Sequence, residues 1–181
     1  MKSIVVVVLA AFIASRKVSF WDTVVSSGEM PENWNVLLPL FITLCVAFQF
    51  VNKSNPLVPN IPFNSVFLDA KIAANLVIVF SVLCVAPFVE EVIFRGFFYP
   101  ALNRHMGIYP AIIITSALFT LAHYPQVKEE YLFGAVIFIL SFIITYVRSK
   151  TGSTRIAIVM HHIYNLVCVG LGYVEYVIVR Y

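Results

Sequence analysis

Glu90 and Glu91 stand side by side, with Arg95 one helical turn further on. The surrounding stretch is otherwise apolar and aromatic: Pro87-Phe88-Val89 before the acids, Val92-Ile93-Phe94 between them and the arginine, Gly96-Phe97-Phe98 after it. In so oily a setting an ionised carboxylate is costly unless it is paired or wetted, so two adjacent ones are read as the centre of a site. Glu91 and Arg95 are i,i+4 and can pair on one side of a helix, which turns Glu90 to a different side, toward water. The other ionisable or amide-bearing groups within apolar runs are His123, His161, His162 and Asn165, with Glu175 near the end of a run. His161 and Asn165 are i,i+4 and project together, while His162 points about 100° away. Phe119 and His123 are also i,i+4. A carboxylate and an imidazole facing one water form a general-base pair. A second imidazole with a carboxamide offers donors to a carbonyl oxygen that is gaining negative charge. Those parts suffice to hydrolyse a peptide bond without a nucleophilic side chain.

The elements that must position these groups follow from composition. Of 181 residues, 61% are hydrophobic and 12% charged, against about 45–50% apolar and 25% charged in soluble domains. Such a chain belongs in a bilayer, where each span must satisfy its own backbone and is therefore helical. The expected fold is all-α: a polytopic transmembrane helical bundle of six spans, forming one membrane domain over residues 1–181. The spans are Ile4–Ala14 (short, and similar to the apolar region of a signal peptide), Asn35–Val51, a third starting at Ile72 and running into the acids, Tyr109–Tyr124, Tyr131–Val147 and Arg155–Val174. Arg16–Trp34, the Pro- and Asn-rich Asn52–Lys71, Asn103–Gly107, Pro125–Glu130 and Arg148–Thr154 read as connections. Pro87 is expected to kink the third span and free backbone groups one turn before Glu90. Glu90 and His123 flank the Asn103–Gly107 turn at nearly equal chain distances. At helical rise each lies roughly 22–24 Å from it. His161 and Asn165 lie roughly 10–16 Å from the Arg148–Thr154 turn by the same rise. The two turns fall on one membrane side, so three helices can bring an acid, an imidazole and an imidazole–amide pair into one water-filled pocket.

Plainer readings stand beside these. Glu91–Arg95 is a buried ion pair that fixes the helix, and Glu90 can be a second partner of the same arginine. His123 alone would be an interfacial histidine, His162 a packing residue, His105 a turn residue, and Phe119 core beside His123. Cys45, Cys84 and Cys168 have no CxxC spacing and read as small buried hydrophobes.

Three short motifs carry a family resemblance. Glu90-Glu91-Val-Ile-Phe-Arg95 matches EExxxR, Phe119-Thr-Leu-Ala-His123 matches FxxxH, and His161-His-Ile-Tyr-Asn165 matches HxxxN. In this order and setting, the chain resembles the CAAX protease and bacteriocin-processing enzyme family (CPBP, or Abi), which includes the type II CAAX prenyl endopeptidases. The resemblance covers roughly residues 72–170, an Abi-like catalytic core. It implies an intramembrane endopeptidase in which Glu90 and His123 activate water and His161 with Asn165 stabilises the oxyanion. Glu91, Arg95 and Phe119 would support them. It also implies a glutamate-type mechanism without metal. If zinc were held instead, Glu90, His123 and His161 would be its ligands, although no HExxH pair is present. Substrates would be membrane-tethered peptides: prenylated CAAX-type C-termini, or leader and bacteriocin peptides.

Two rival classes use the same residues. A bacteriocin-immunity or scaffold protein would keep the motifs as a polar core, and a proton-coupled transporter would use buried Glu and His as a relay. The absence of internal repeats counts against the transporter. The net charge of +3 is too small for a nucleic-acid partner, so the bilayer and a lipidated or membrane-embedded peptide are the expected partners. Arg16, Lys17, Arg104, Arg148, Lys150 and Arg155 fall on the site-facing side, against Lys2, Lys53, Lys71, Lys128 and Arg180 on the other. This bias points the site to the cytoplasm, in the cell membrane if the source is prokaryotic.

Overall fold

A computed structural model describes residues 32–54, 77, 79–124 and 131–180 of the chain. Among them every regular element is helical. Helices α1 (Trp34–Ser54) and α2 (Ala86–Glu91) are followed by α3 (Tyr99–Met106), α4 (Ile108–Ala122), α5 (Tyr131–Thr151) and α6 (Thr154–Arg180). Two π-helical stretches, Ser81–Val85 and Val92–Phe98, flank α2. The expected first span, most of the Arg16–Trp34 and Asn52–Lys71 connections, the start of the third span and the Pro125–Glu130 loop lie outside the described residues. Helices stand at the other five expected spans. Tyr131–Thr151 and Thr154–Val174 are long and apolar enough to cross a membrane, while Trp34–Phe48 and Ile108–Ala122 are shorter apolar helices.

The chain divides into two compact units. The first takes in Phe88–Met160. Here α4 packs along α5 and α3 packs on α4. Phe94, Phe98, Phe119 and Ile137 form one buried cluster, flanked by Ile93, Leu118, Ala122 and Phe133. Tyr99, Ala111 and Ile112 form another, with Leu102 against it. The second unit comprises Glu32–Pro87 with His161–Tyr181. In it, Asn33 starts α1 by accepting the N–H groups of Val36 and Leu37. Phe41 and Cys45, one turn apart on α1, are buried. Of the other cysteines, Cys84 is exposed and Cys168 half-buried, which corrects the reading of all three as buried.

Two helix reversals among the described residues of the first unit are tighter than the sequence suggests. Asn103–Met106 and Arg148–Thr151 are helical rather than looped. Single glycines do the turning: Gly107 at φ 82° donates to Asn103 O, and Gly152 at φ 67° donates to Arg148 O. Only glycine adopts such positive φ without strain, and it ends a helix within one residue. The second reversal is further tied by Arg148 Nε donating to Thr154 Oγ1 at 3.1 Å.

The burial pattern is that of a protein in lipid. Ile113, Ile114 and Leu121 on α4 and Leu132, Ile139 and Phe142 on α5 are exposed, whereas Glu91, Arg95, Thr115, Ser116, Ser141 and Thr145 are buried. Apolar side chains outside and hydrogen-bonding ones inside are what a hydrocarbon solvent selects. Among the described residues the chain is all-helical, with two helices long and apolar enough to cross a membrane.

Candidate active site

The helix that carries the acids is wound around two prolines. At the end of the first π-helical stretch the Ala86 N–H donates to Ser81 O, five residues back, and Pro87 follows at once. At the end of the second, the Tyr99 N–H donates to Phe94 O, again five back, and Pro100 follows. A proline ring collides with the carbonyl four residues earlier and supplies no N–H of its own. Widening the preceding turn to an i→i−5 register moves that carbonyl away. The expected kink at Pro87 is thus a local change of winding, of the kind that concentrates at functional sites. Glu90 and Glu91 end the six-residue α2 between the two wide stretches.

Glu91 and Arg95 lie completely buried, and Arg95 Nη1 donates to Glu91 Oε1 at 2.7 Å. The other two guanidinium nitrogens reach α5: Nε donates to Thr145 Oγ1 at 3.1 Å, and Nη2 to Ser141 Oγ at 2.8 Å and Ser141 O at 3.1 Å. Thr145 Oγ1 in turn donates to Ser141 O. A buried charge of this kind is costly unless it is paired and hydrogen-bonded, and α5 supplies further acceptors to the guanidinium. Ser141 and Thr145 were missed in the sequence reading. Their signal was available: two hydroxyls at i,i+4 spacing in an otherwise apolar run.

Glu90, next to that cage, comes close to His123. Oε2 of Glu90 and Nε2 of His123 are 3.9 Å apart, with side chains 29% and 24% exposed. The separation is too long for a direct hydrogen bond, yet one water can bond to both atoms. The sequence placed His123 inside a span running to Tyr124, but α4 ends at Ala122 and His123 is its cap. At that end the His123 N–H turns to Thr120 O rather than Phe119 O. The Phe119 carbonyl is taken up by the histidine's own ring, with Nδ1 at 2.9 Å. A carbonyl can only accept, so Nδ1 carries the hydrogen, and Nε2 is the nitrogen that stands nearest Glu90.

Phe119 is buried and holds the two halves of this arrangement apart. The Arg95 guanidinium carbon lies 4.6 Å from its ring centroid, and the His123 ring is also 4.6 Å from it. Phe94 meets the same ring edge-on at 5.0 Å. The aromatic ring thereby satisfies the arginine through its face and fixes the plane of the imidazole.

In the second unit, His161 is buried and Asn165, one turn later on α6, is half-buried. Asn165 Nδ2 donates to Val82 O at 2.8 Å. His162 is half-buried and His105 exposed. Among the described residues, no three His, Cys, Asp or Glu side chains gather as a metal site needs.

Among the described residues, apolar helices, two of them long enough to cross a membrane, carry an acid–imidazole pair. The model of the type II CAAX prenyl endopeptidase Rce1-like family matches residues 72–167, a stretch that contains α2–α5 and both π-helical turns. The chain belongs to that family, a family of membrane-embedded proteases. No curated protein and no solved structure matches it.

Proposed function

We propose that the chain is an intramembrane glutamate-type endopeptidase whose water is activated between Glu90 and His123. The observation that carries this reading is the 3.9 Å gap between Oε2 and Nε2, together with the Phe119 carbonyl that takes the Nδ1 hydrogen. With the imidazole neutral, a water in the gap donates one hydrogen to each atom. Its oxygen lone pairs then point outward, to the carbonyl carbon of a bound peptide. On attack a proton passes from water to the Glu90 carboxylate, and the same carboxyl returns it to the departing amine. The charge that develops on the carbonyl oxygen requires donors. His161 and Asn165, the positions that match the family's HxxxN motif, are assigned this role. Glu91 and Arg95 hold the helix, and Phe119 aligns His123.

The substrates are membrane-tethered peptides: prenylated CAAX-type C-termini in the first instance, or leader peptides of bacteriocin type. The whole chain acts as one membrane domain with residues 72–170 as catalytic core, and the site opens to the cytoplasm. The deciding experiment uses the purified protein and its Glu90→Ala variant in liposomes, a farnesylated C-terminal peptide and a set of leader peptides, each with and without chelator. Cleavage by the wild type and not by the variant is expected, with chelator inert. Failure of the wild type to cleave any of them rejects the protease reading, and inhibition by chelator rejects the metal-free mechanism.

A further inference from the structure

The hydrogen bond from Asn165 to Val82 has a cause in the winding of the helix it reaches. Each carbonyl of a helix expects an N–H four residues on, or five in a π-helical turn. For Val82 the first of these is Ala86, whose N–H is bonded to Ser81 O. The second is Pro87, which has none. Val82 O is therefore left without a backbone donor, at a place where the helix is already wide. A half-buried carbonyl in that state, away from bulk water, needs another partner. The partner is the carboxamide of Asn165, 83 positions away, with Nδ2 at 2.8 Å.

The consequence runs in both directions. An asparagine amide has two faces of opposite character, and rotation about its last torsion exchanges donor for acceptor. Against Val82 O only the NH₂ face is tolerated. One of its two hydrogens goes to that carbonyl, and the second is left with a fixed direction. We infer that Val82 O, orphaned by Pro87, is the device that orients Asn165 so that its second N–H serves the substrate oxyanion. Pro87 is then a positioning residue: it acts by withholding a hydrogen. The inference deepens the proposed role of Asn165 and rests on that reading for its catalytic half. Its structural half, the bond itself, stands apart from any activity.

A cycle of Asn165→Ala, Pro87→Ala and the double variant tests both halves. Pro87→Ala returns an N–H to the helix, so Val82 O no longer needs the amide. In detergent, Asn165→Ala should lower the melting temperature by a few degrees, and adding Pro87→Ala should restore most of that loss. Melting changes that simply add would overturn the inference, because they would show that Asn165 does not serve that carbonyl. On a peptide substrate, Pro87→Ala alone should lower kcat about tenfold with KM little changed, as expected when an oxyanion donor loses its orientation rather than its presence. An unchanged kcat would overturn the orienting role. If Asn165→Ala fails to fold, Pro87→Ala still gives the split between kcat and KM. If the wild type cleaves no peptide, the proposed function falls while the melting cycle still decides whether the bond exists for the stated reason.

Discussion

His123 shows how a single residue is prepared for chemistry by the backbone next to it. Its ring closes onto the carbonyl of its own preceding turn, because the end of α4 has diverted the amide hydrogen that would have gone there. The tautomer is thereby set without a second carboxylate. Two consequences can be measured. Glu90→Gln keeps the shape of the side chain and removes its basicity. Peptide cleavage should fall about a hundredfold or more, while the melting temperature stays close to wild type because Glu90 is partly exposed. Retention of cleavage would remove Glu90 from the mechanism. Phe119→Leu keeps an apolar group in the core but removes the stack on His123. It should cost about tenfold in kcat, the order expected from slight misplacement of a catalytic group, and an unchanged kcat would reduce Phe119 to packing alone.

The helical elements differ in what they contribute. The segment from Ser81 to Met106 supplies acids on a helix whose winding is set by Pro87 and Pro100, and α5 supplies further acceptors to the buried Arg95. That division makes a stability prediction. Arg95→Met leaves the Glu91 carboxylate buried without its cation and should destabilise by about 3–5 kcal/mol. The double variant Glu91→Gln with Arg95→Met should recover much of this, since no uncompensated charge remains. Thermal melts of the two single variants and the double in one detergent would show the coupling, and simple additivity would contradict it. Ser141→Ala with Thr145→Val strips the α5 hydroxyls from the same guanidinium and should cost about 1–3 kcal/mol. If the melts do not change, the contacts to α5 do not hold Arg95.

For the molecule as a whole, lipid replaces water as the solvent that sorts the side chains. Exposed Ile113, Leu121, Ile139 and Phe142 and buried Glu91, Arg95, Ser141 and Thr145 would be an inverted pattern in water, and in a bilayer they are the stable one. The side of the membrane on which the Gly152 reversal lies is set by its basic neighbours Arg148, Lys150 and Arg155. With Lys150→Cys placed in a background lacking the three native cysteines, a membrane-impermeant thiol reagent should label inverted vesicles and spare intact cells. Labelling of intact cells would reverse the orientation and put the site on the outer face.

Apolar run length and composition decide much of this protein before any packing is considered. In lipid every backbone group must be satisfied within its own segment, so long oily runs become helices wherever they sit. The positions of five helical regions, the Glu91–Arg95 pair at one-turn spacing and the family motifs were legible for that reason. The helix ends were not. Glycine at Gly107 and Gly152 turns the chain within one or two residues, where the polar content of the flanks suggested longer loops. The π-helical winding around Pro87 and Pro100 was not legible either, because proline's effect depends on how the preceding turn relaxes. Contacts between distant residues lay further out of reach. Arg95 finds Thr145 across 50 positions and Asn165 finds Val82 across 83. Spacing along one helix shows which side chains share a face. Only packed neighbours show which unsatisfied carbonyl or buried charge that face will meet, because the hydrogen-bond partner is supplied by a different helix.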